Sequence, residues 1–266
     1  MAAPAVVAGL AITAIKATRL REVDRIELGR DGVRENRRFY LVDSRGWMIN
    51  AKHIGGLQSV VADYSDAGRT LKLTFPGGDT VEGEVRLGEP LTTRFFSEPT
   101  DGRLVEGPWE AALSDHFGES LRLVEIGDRG TGVDRGLDGS ASLISRASLA
   151  RLAEAGGTNA IDPRRFRMLI EIDGVGAHEE DRWVGRKVRI GEATVAFHGH
   201  VGRCLVTSRD PDTGEVTLPT LDMLGDYRSH THTTEPLPFG IYGQVLDPGT
   251  VRVGDEVAPM SSVRSP

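Results

Sequence analysis

Between Ile12 and Leu87 apolar and polar residues alternate in short runs broken by turn-forming residues, the period-two pattern of strands that bury one face. Arg38-Phe39-Tyr40-Leu41-Val42 meets Asp43-Ser44-Arg45-Gly46 and resumes as Trp47-Met48-Ile49-Asn50, which predicts a hairpin. Thr70-Leu71-Lys72-Leu73-Thr74-Phe75, the turn Pro76-Gly77-Gly78-Asp79 and the return Thr80-Val81-Glu82-Gly83-Glu84-Val85 predict a second. Many short strands without helices predict a small barrel.

Helical punctuation comes later. Pro108 suits a first helical position before Trp109-Glu110-Ala111-Ala112-Leu113, and Gly118 can close the last turn. Ser145 can cap a helix running to Ala155, with Leu149 and Leu152 on one face and Gly156-Gly157 as terminator. A third short helix is expected from Leu221 to Tyr227, behind Thr220. Apolar runs at 166–172, 187–190, 194–198, 203–208 and 239–245 read as strands. Arg86 to Pro108, rich in Gly, Pro, Thr and Glu, reads as a linker. The fold class is therefore β-rich α+β, with a small N-terminal β-barrel domain over 1–95 and a β-rich second domain with inserted helices over 96–266.

Composition narrows the functions open to such a fold. At 266 residues, 39% hydrophobic and 27% charged, the chain is an ordinary globular protein, and its formal charge of −7 argues against broad attraction to nucleic acid or anionic membrane. A phosphate-bearing ligand would need locally clustered Arg or Lys. The single cysteine cannot form an intrachain disulfide, which favours a reducing compartment and a cytoplasmic location. The apolar start, Ala2 to Ile12, has no basic residue before it and is too short for a membrane span, so it is read as leading into a first strand.

That cysteine, Cys204, lies beside Arg203 and just before the turn Asp210-Pro211-Asp212-Thr213-Gly214. A neighbouring guanidinium favours the thiolate, which attacks electrophiles or binds soft metals; the alternative is a buried small hydrophobe. His198, His200 and Cys204 have even spacing and on an unbroken strand would share a face, a possible zinc set, although Gly199 and Gly202 interrupt it. His230 and His232 read as a loop near a pocket mouth. Asp210, Asp212 and Glu215 lack the ligand spacing of a calcium loop and read as a turn capped by aspartate. Arg34-Glu35-Asn36-Arg37-Arg38 alone reads as a solvated turn. No phosphate-loop, dinucleotide-binding or serine-elbow motif occurs.

Gly202-Arg203-Cys204 followed by Asp210-Pro211-Asp212-Thr213-Gly214 resembles the cysteine-bearing segment of MOSC (molybdenum cofactor sulfurase C-terminal) proteins. Ser142-Leu143-Ile144-Ser145-Arg146-Ala147-Ser148-Leu149 resembles that family's helix entry, and Arg165-Phe166-Arg167 the start of its Arg-Phe-Arg-Pro-Asn motif. Leu218-Pro219-Thr220-Leu221, Tyr227-Arg228, Phe239-Gly240-Ile241-Tyr242 and Pro248-Gly249-Thr250-Val251-Arg252-Val253-Gly254-Asp255 resemble its closing segments. Ile15-Lys16-Ala17-Thr18-Arg19, Arg37 to Val42 and Gly46 to Lys52 are similar to its N-terminal β-barrel. The likeness runs from about residue 12 to 257, and it implies functional relatedness to the amidoxime-reducing components, which reduce N-hydroxylated compounds.

The resemblance implies that the second domain is a MOSC β-barrel with inserted helices, and that a pterin-dithiolene molybdenum cofactor lies between the two domains, with Cys204 as metal ligand and catalytic centre. Lys16, Arg19, Arg37, Arg38, Arg167 and Arg203 are the implied cofactor contacts, Arg37 and Arg38 being alternatives if a strand points them to opposite faces. The implied activity is reduction of small N-hydroxylated substrates. With no flavin, haem or iron-sulfur motif, electrons would come from a separate donor such as a flavoprotein or ferredoxin-type protein. MOSC domains also end cofactor sulfurases, where Cys204 would carry sulfur instead. Two departures, Met168-Leu169 in place of Pro-Asn and Ala17-Thr18 in place of Ser-Cys, open a third reading: a pocket that has lost molybdenum and serves a specialised biosynthetic reaction.

Overall fold

The computed structural model describes residues 4–95, 98–126, 136–231, 233 and 235–260. The second half is a closed seven-stranded barrel. Its strands run in the order Ile170–Asp173, Ala141–Ser145, Pro238–Asp247, Ala193–Gly202, Lys187–Ile190, Glu256–Pro259 and Ala5–Ile12. Closure comes from the start of the chain: Ala5–Ile12 pairs antiparallel with Ile170–Asp173, Val7 facing Ile172 and Leu10 facing Ile170. The alternation read from sequence becomes burial here. In Lys187–Ile190 Val188 and Ile190 are fully buried between exposed neighbours, and with Leu10, Val195, Phe197, Ile241 and Val257 they fill the interior.

The first half carries a five-stranded sheet, ordered Met48–Ile49, Phe39–Val42, Arg122–Ile126, Glu98–Glu106 and Arg86–Phe95, and a three-stranded sheet of Val61–Ser65, Thr70–Thr74 and Thr80–Glu84. Both share one core that contains Ile15, Phe39, Tyr64, Leu71, Trp109 and Leu123. Trp109 is fully buried and its indole N–H donates to the Leu71 carbonyl at 3.0 Å, so one residue supplies apolar area and satisfies its polar tip.

Both expected hairpins form, with Val42 opposite Met48 and Thr74 opposite Thr80. The α-helices among the described residues are α1 (Trp109–Phe117), α2 (Arg146–Ala155) and α3 (Thr220–Arg228). Gly118 ends α1 in the left-handed region, where a residue without Cβ is favoured, and the Ser145 side chain accepts from the Ser148 N–H at the start of α2. α2 and α3 pack together over a second small core of Leu152, Phe166, Met168, Leu224 and Phe239.

Three local readings are corrected. Arg86 to Pro108 is no linker: Arg86–Phe95 and Glu98–Glu106 form a long antiparallel pair from Phe95 opposite Glu98 to Arg86 opposite Glu106. Residues 166–172 do not form one strand. A 3-10 turn, Pro163–Phe166, is followed by Arg167 at φ 54°, and only Ile170–Asp173 is extended. Residues 203–208 are not a strand either, because the Thr207 backbone and hydroxyl both bond back to the Cys204 carbonyl at 3.0 Å and wind Leu205–Ser208 into a 3-10 turn.

Candidate functional site

Strand Ala193–Gly202 leads from the barrel to Cys204, which is partly exposed on a cavity of about 650 Å3. The thiol is thus neither buried in the core nor fully in solvent. Arg203 holds it in place. Its guanidinium donates to the Phe166 carbonyl at 2.9 Å and to the Phe239 carbonyl from Nε at 2.7 Å, while its backbone N–H bonds the Pro236 carbonyl at 3.2 Å. It also stacks 5.2 Å from the Phe166 ring. Arg203 therefore builds the cavity wall with its donors.

Both halves of the molecule bring cations to the same space: Lys16, Arg37 and Lys52 from the first, Arg165 and Arg167 from the second. Each is set by backbone. Lys16 N–H bonds the Phe39 carbonyl at 2.8 Å and Arg37 N–H the Thr13 carbonyl at 2.6 Å. Asp162 accepts from Arg164 N–H at 2.8 Å and starts the turn that presents Arg165 and Arg167. The guanidinium of Arg37 then donates to the Arg167 carbonyl at 2.5 Å, and that of Arg167 to the Thr18 carbonyl at 2.7 Å. These two bonds tie the halves together at the cavity.

The backbone is strained at the same place. Ala17 (φ 80°), Arg37 (φ 53°) and Arg167 (φ 54°) occupy the left-handed region and all line the cavity. Each such residue costs roughly 1 kcal/mol or more, and such costs concentrate at ligand sites.

Two anticipated contacts lie elsewhere. Arg38 pairs with the buried Glu125 at 2.6 Å and sits 5.8 Å from the Tyr64 ring, while Arg37 faces the cavity. The separation arises at left-handed Arg37, before the strand that begins at Phe39. Arg19 reaches across the halves to the Asp212 carbonyl at 2.8 Å and does not line the cavity. Asp212 also receives both terminal nitrogens of Arg164 at 2.9 Å, and these guanidinium bonds hold its carboxyl below the usual range. Asp210 accepts from Asp212 N–H and Thr213 N–H at 3.0 Å, so the acidic run is a capped turn.

The altered motif residues are accommodated. Met168 lines the cavity and its sulfur accepts from Arg203 at 3.1 Å; Leu169 is core; the Thr18 hydroxyl is buried against the Ile15 carbonyl at 2.7 Å. The histidines do not join Cys204. Register shifts interrupt the strand at Phe197/Gly199 and His200/Gly202, His200 meets Asp181 at 3.4 Å, and the described residues contain no cluster able to hold a metal through His, Cys, Asp and Glu alone. His232 lies outside the described residues. Lining residues not anticipated include Asn50, Lys52, Ser142, Arg165, Glu235 and Tyr242. Asn50, Lys52, Ser142, Arg165 and Tyr242 stood inside motifs named above; Glu235 stood in none.

The family description "MOSC N-terminal beta barrel domain" matches residues 4–115 and "MOSC domain" matches 116–258. The chain belongs to the MOSC family. Mouse "Mitochondrial amidoxime-reducing component 1" is 36% identical over 121 residues, which cover 43% of this chain and 35% of that protein. Human "Mitochondrial amidoxime reducing component 2" is 38% identical over 102 residues, covering 36% and 30%. "Molybdenum cofactor sulfurase" of Oryza sativa subsp. japonica is 33% identical over 81 residues, covering 30% and 10%. The matched stretches thus span at most 35% of these relatives' lengths. The two MOSC matches meet inside α1, yet strand Ala5–Ile12 belongs to the second barrel and Arg122–Ile126 to the first half's sheet, so the domains are interleaved.

The donor set fits the molybdenum cofactor associated with the family. One thiol, a soft donor, opens on a cavity large enough for a small ligand, and lysine and guanidinium groups suited to a phosphate converge on it from both halves. No helix among the described residues is long and apolar enough to cross a membrane.

Proposed function

We propose that this MOSC protein binds a molybdenum cofactor in the cavity at Cys204 and reduces small N-hydroxylated compounds with electrons from a separate redox protein. The observation that carries the reading is the partly exposed Cys204 on a cavity lined by Lys16, Arg37, Lys52, Arg165 and Arg167. The names of the mouse and human relatives supply the substrate class. Cys204 would be the ligand to molybdenum and the cations would hold the pterin phosphate; when bound, the cofactor supplies two-electron chemistry at an N–O bond. Two electrons and two protons convert the N–OH group to N–H and water. The chain's own part is to fix the thiol through Arg203, to clamp the anion, and to shape the opening that admits substrate. A flavoprotein or ferredoxin-type donor in a reducing, cytoplasmic setting fits a chain with one cysteine.

The test is metal and pterin analysis of protein produced in a cofactor-competent host, with reduction of benzamidoxime by a chemical electron donor. Near-stoichiometric molybdenum and turnover are expected in the native protein. Cys204→Ser is expected to lower both by at least about 100-fold, with its melting temperature almost unchanged because the side chain is not a core residue. Protein without molybdenum or turnover overturns the reading. The rice sulfurase similarity favours one alternative, sulfur carriage. Persulfide on Cys204 without amidoxime reduction would establish it.

A further inference from the structure

The 3-10 helix Gly55–Ser59 of the first half lies against the turn that follows Cys204. Glycine allows the approach, since a Cβ on Gly55 would stand 2.6 Å from the Gly214 carbonyl oxygen. From this helix Gln58 reaches into the junction between the halves, where it is fully buried. Its side-chain nitrogen donates to the Asp210 carbonyl at 3.1 Å, and its Oε1 accepts from Arg167 Nη1 at 3.4 Å. The partners fix which end of the amide is which, because a guanidinium only donates and a backbone carbonyl only accepts. The Gln58 backbone carbonyl in turn accepts from Arg19 Nε at 3.4 Å. Gln58 does not line the cavity; it stands behind residues that do.

Arg167 is held at three points while its side chain lines the cavity. Arg37 donates to its carbonyl, the Thr18 carbonyl accepts from its Nη2 at 2.7 Å, and Gln58 accepts from its Nη1. Arg165, beside it on the cavity, donates to the Arg209 carbonyl at 2.7 Å, so the consecutive carbonyls of Arg209 and Asp210 are taken by Arg165 and Gln58. Gln58 thereby links the turn behind the thiol to the cations that face the cavity. Its residue type matters. An amide is polar at both ends and uncharged, so it orients the guanidinium without setting a negative charge against it. A glutamate of the same shape would turn a carboxylate toward the Asp210 carbonyl and pair with Arg167, in competition with any anion in the cavity. An apolar side chain would withdraw both hydrogen bonds inside the protein.

We propose that Gln58 is a positioning residue that aims Arg167 at a phosphate group in the cavity while anchoring the turn behind Cys204. This rests on the cofactor-binding reading given above, and it adds a residue outside the cavity that sets how strongly the anion is held. Gln58 acts through Arg167 without touching the anion. Its effect on binding therefore exists only while Arg167 is present, and it depends on the charge at position 58.

Calorimetric titration of inorganic pyrophosphate into the full chain, produced without cofactor, tests the proposal without requiring turnover. The native protein is expected to bind, and Gln58→Glu to lower the affinity by about 10-fold at pH 8, the weight of one charge-assisted hydrogen bond lost to the ligand. A protonated glutamic acid has the shape and the hydrogen-bonding ends of glutamine, so the ratio of native to variant affinity is expected to shrink as pH is lowered toward about 5, which a purely structural role would not produce. In an Arg167→Ala background the same substitution is expected to change the affinity by less than about 2-fold. Gln58→Met, which withdraws both bonds and adds no charge, keeps the test readable if the Glu protein does not fold: it is expected to lose about 3-fold, again only with Arg167 present. A native protein that binds no pyrophosphate overturns the proposal. So does a Glu variant equal to native at pH 8, a ratio independent of pH, or a loss that persists without Arg167. If the pattern holds and the molybdenum-loaded protein does not reduce benzamidoxime, the N-reductive reading fails and the role of Gln58 stands. If benzamidoxime is reduced and Gln58→Glu binds pyrophosphate as the native protein does, the Gln58 proposal alone fails.

Discussion

Two polar clusters in this molecule differ in their surroundings: one lines the cavity at Cys204, and the other does not line it. Outside the barrel wall, His178, Asp181, His200, Tyr227 and Arg228 face one another: the Tyr227 hydroxyl lies 3.0 Å from His178 Nε2, and Arg228 donates to Asp181 at 2.8 Å. Burial pushes the His178 imidazole down to about 4, helped by the Arg228 charge, and the Tyr227 phenol up to about 12. Burial alone would raise the Asp181 carboxyl, but its contacts with His200 and Arg228 hold it below its ordinary value. None of these residues lines the large cavity. Around Cys204 the pattern is reversed, with cations gathered at one space and three lining residues on left-handed backbone. Strongly displaced protonation marks enclosure, which a structural network shares with an active site. Like charges converging on a cavity, on strained backbone, mark a place where a ligand repays the cost.

The comparison breaks most visibly if the closed cluster is functional. Asp181→Ala leaves Arg228, whose side chain is 5% exposed, and His200 beside it without their anion, and is expected to cost about 3–5 kcal/mol in chemical denaturation. The folded variant should still bind molybdenum; loss of the metal with unchanged stability would place the cluster in the site. A smaller effect comes from His178. Its folded-state value of about 4 lies below the ordinary 6.5, so between those values the unfolded chain binds the proton and the folded one does not. Its contribution is complete above about pH 6.5 and is lost as pH falls toward 4, about 3 kcal/mol at most. Asparagine tolerates the left-handed backbone at this position (φ 61°), so His178→Asn should flatten that part of the stability profile without disturbing the turn. An unchanged slope would show that the imidazole is not held neutral.

Features set by neighbours in sequence were legible in the chain. The hairpin at Asp43–Gly46 and the Ser145 cap depend on a few adjacent side chains, and both form as read. Features set across the fold were not. Nothing local in Ala5–Ile12 shows that it closes a barrel against Ile170–Asp173, and the strand-like run at 203–208 yields to a Thr207 side chain that bonds the Cys204 carbonyl. At the site the same division holds. Cys204, Lys16, Arg37 and Arg167 were found through a family resemblance and do line one cavity, while Arg38 is taken up by Glu125 and Arg19 by the Asp212 carbonyl. Tyr242 lay within the run Phe239 to Tyr242 that carries the resemblance, whereas Glu235 lay in none and is brought to the cavity only by the fold.

The smallest effect tests whether the cavity backbone is strained at all. Ala17 is 4% exposed and sits at φ 80°, where an L side chain is disfavoured and glycine is not. Ala153, 3% exposed in the last turn of α2, has ordinary helical backbone. The same substitution should therefore cost clearly less at Ala17 than at Ala153. Ala153→Gly loses about 1 kcal/mol or more from helix propensity and a buried methyl, whereas at Ala17 the loss of a similar buried methyl is offset by about 1 kcal/mol from relief of the left-handed conformation, leaving the stability nearly unchanged. Denaturant midpoints of the two variants decide the matter. If Ala17→Gly is destabilising to the same degree as Ala153→Gly, the backbone at the cavity stores nothing, and the contrast between the two clusters reduces to charge alone.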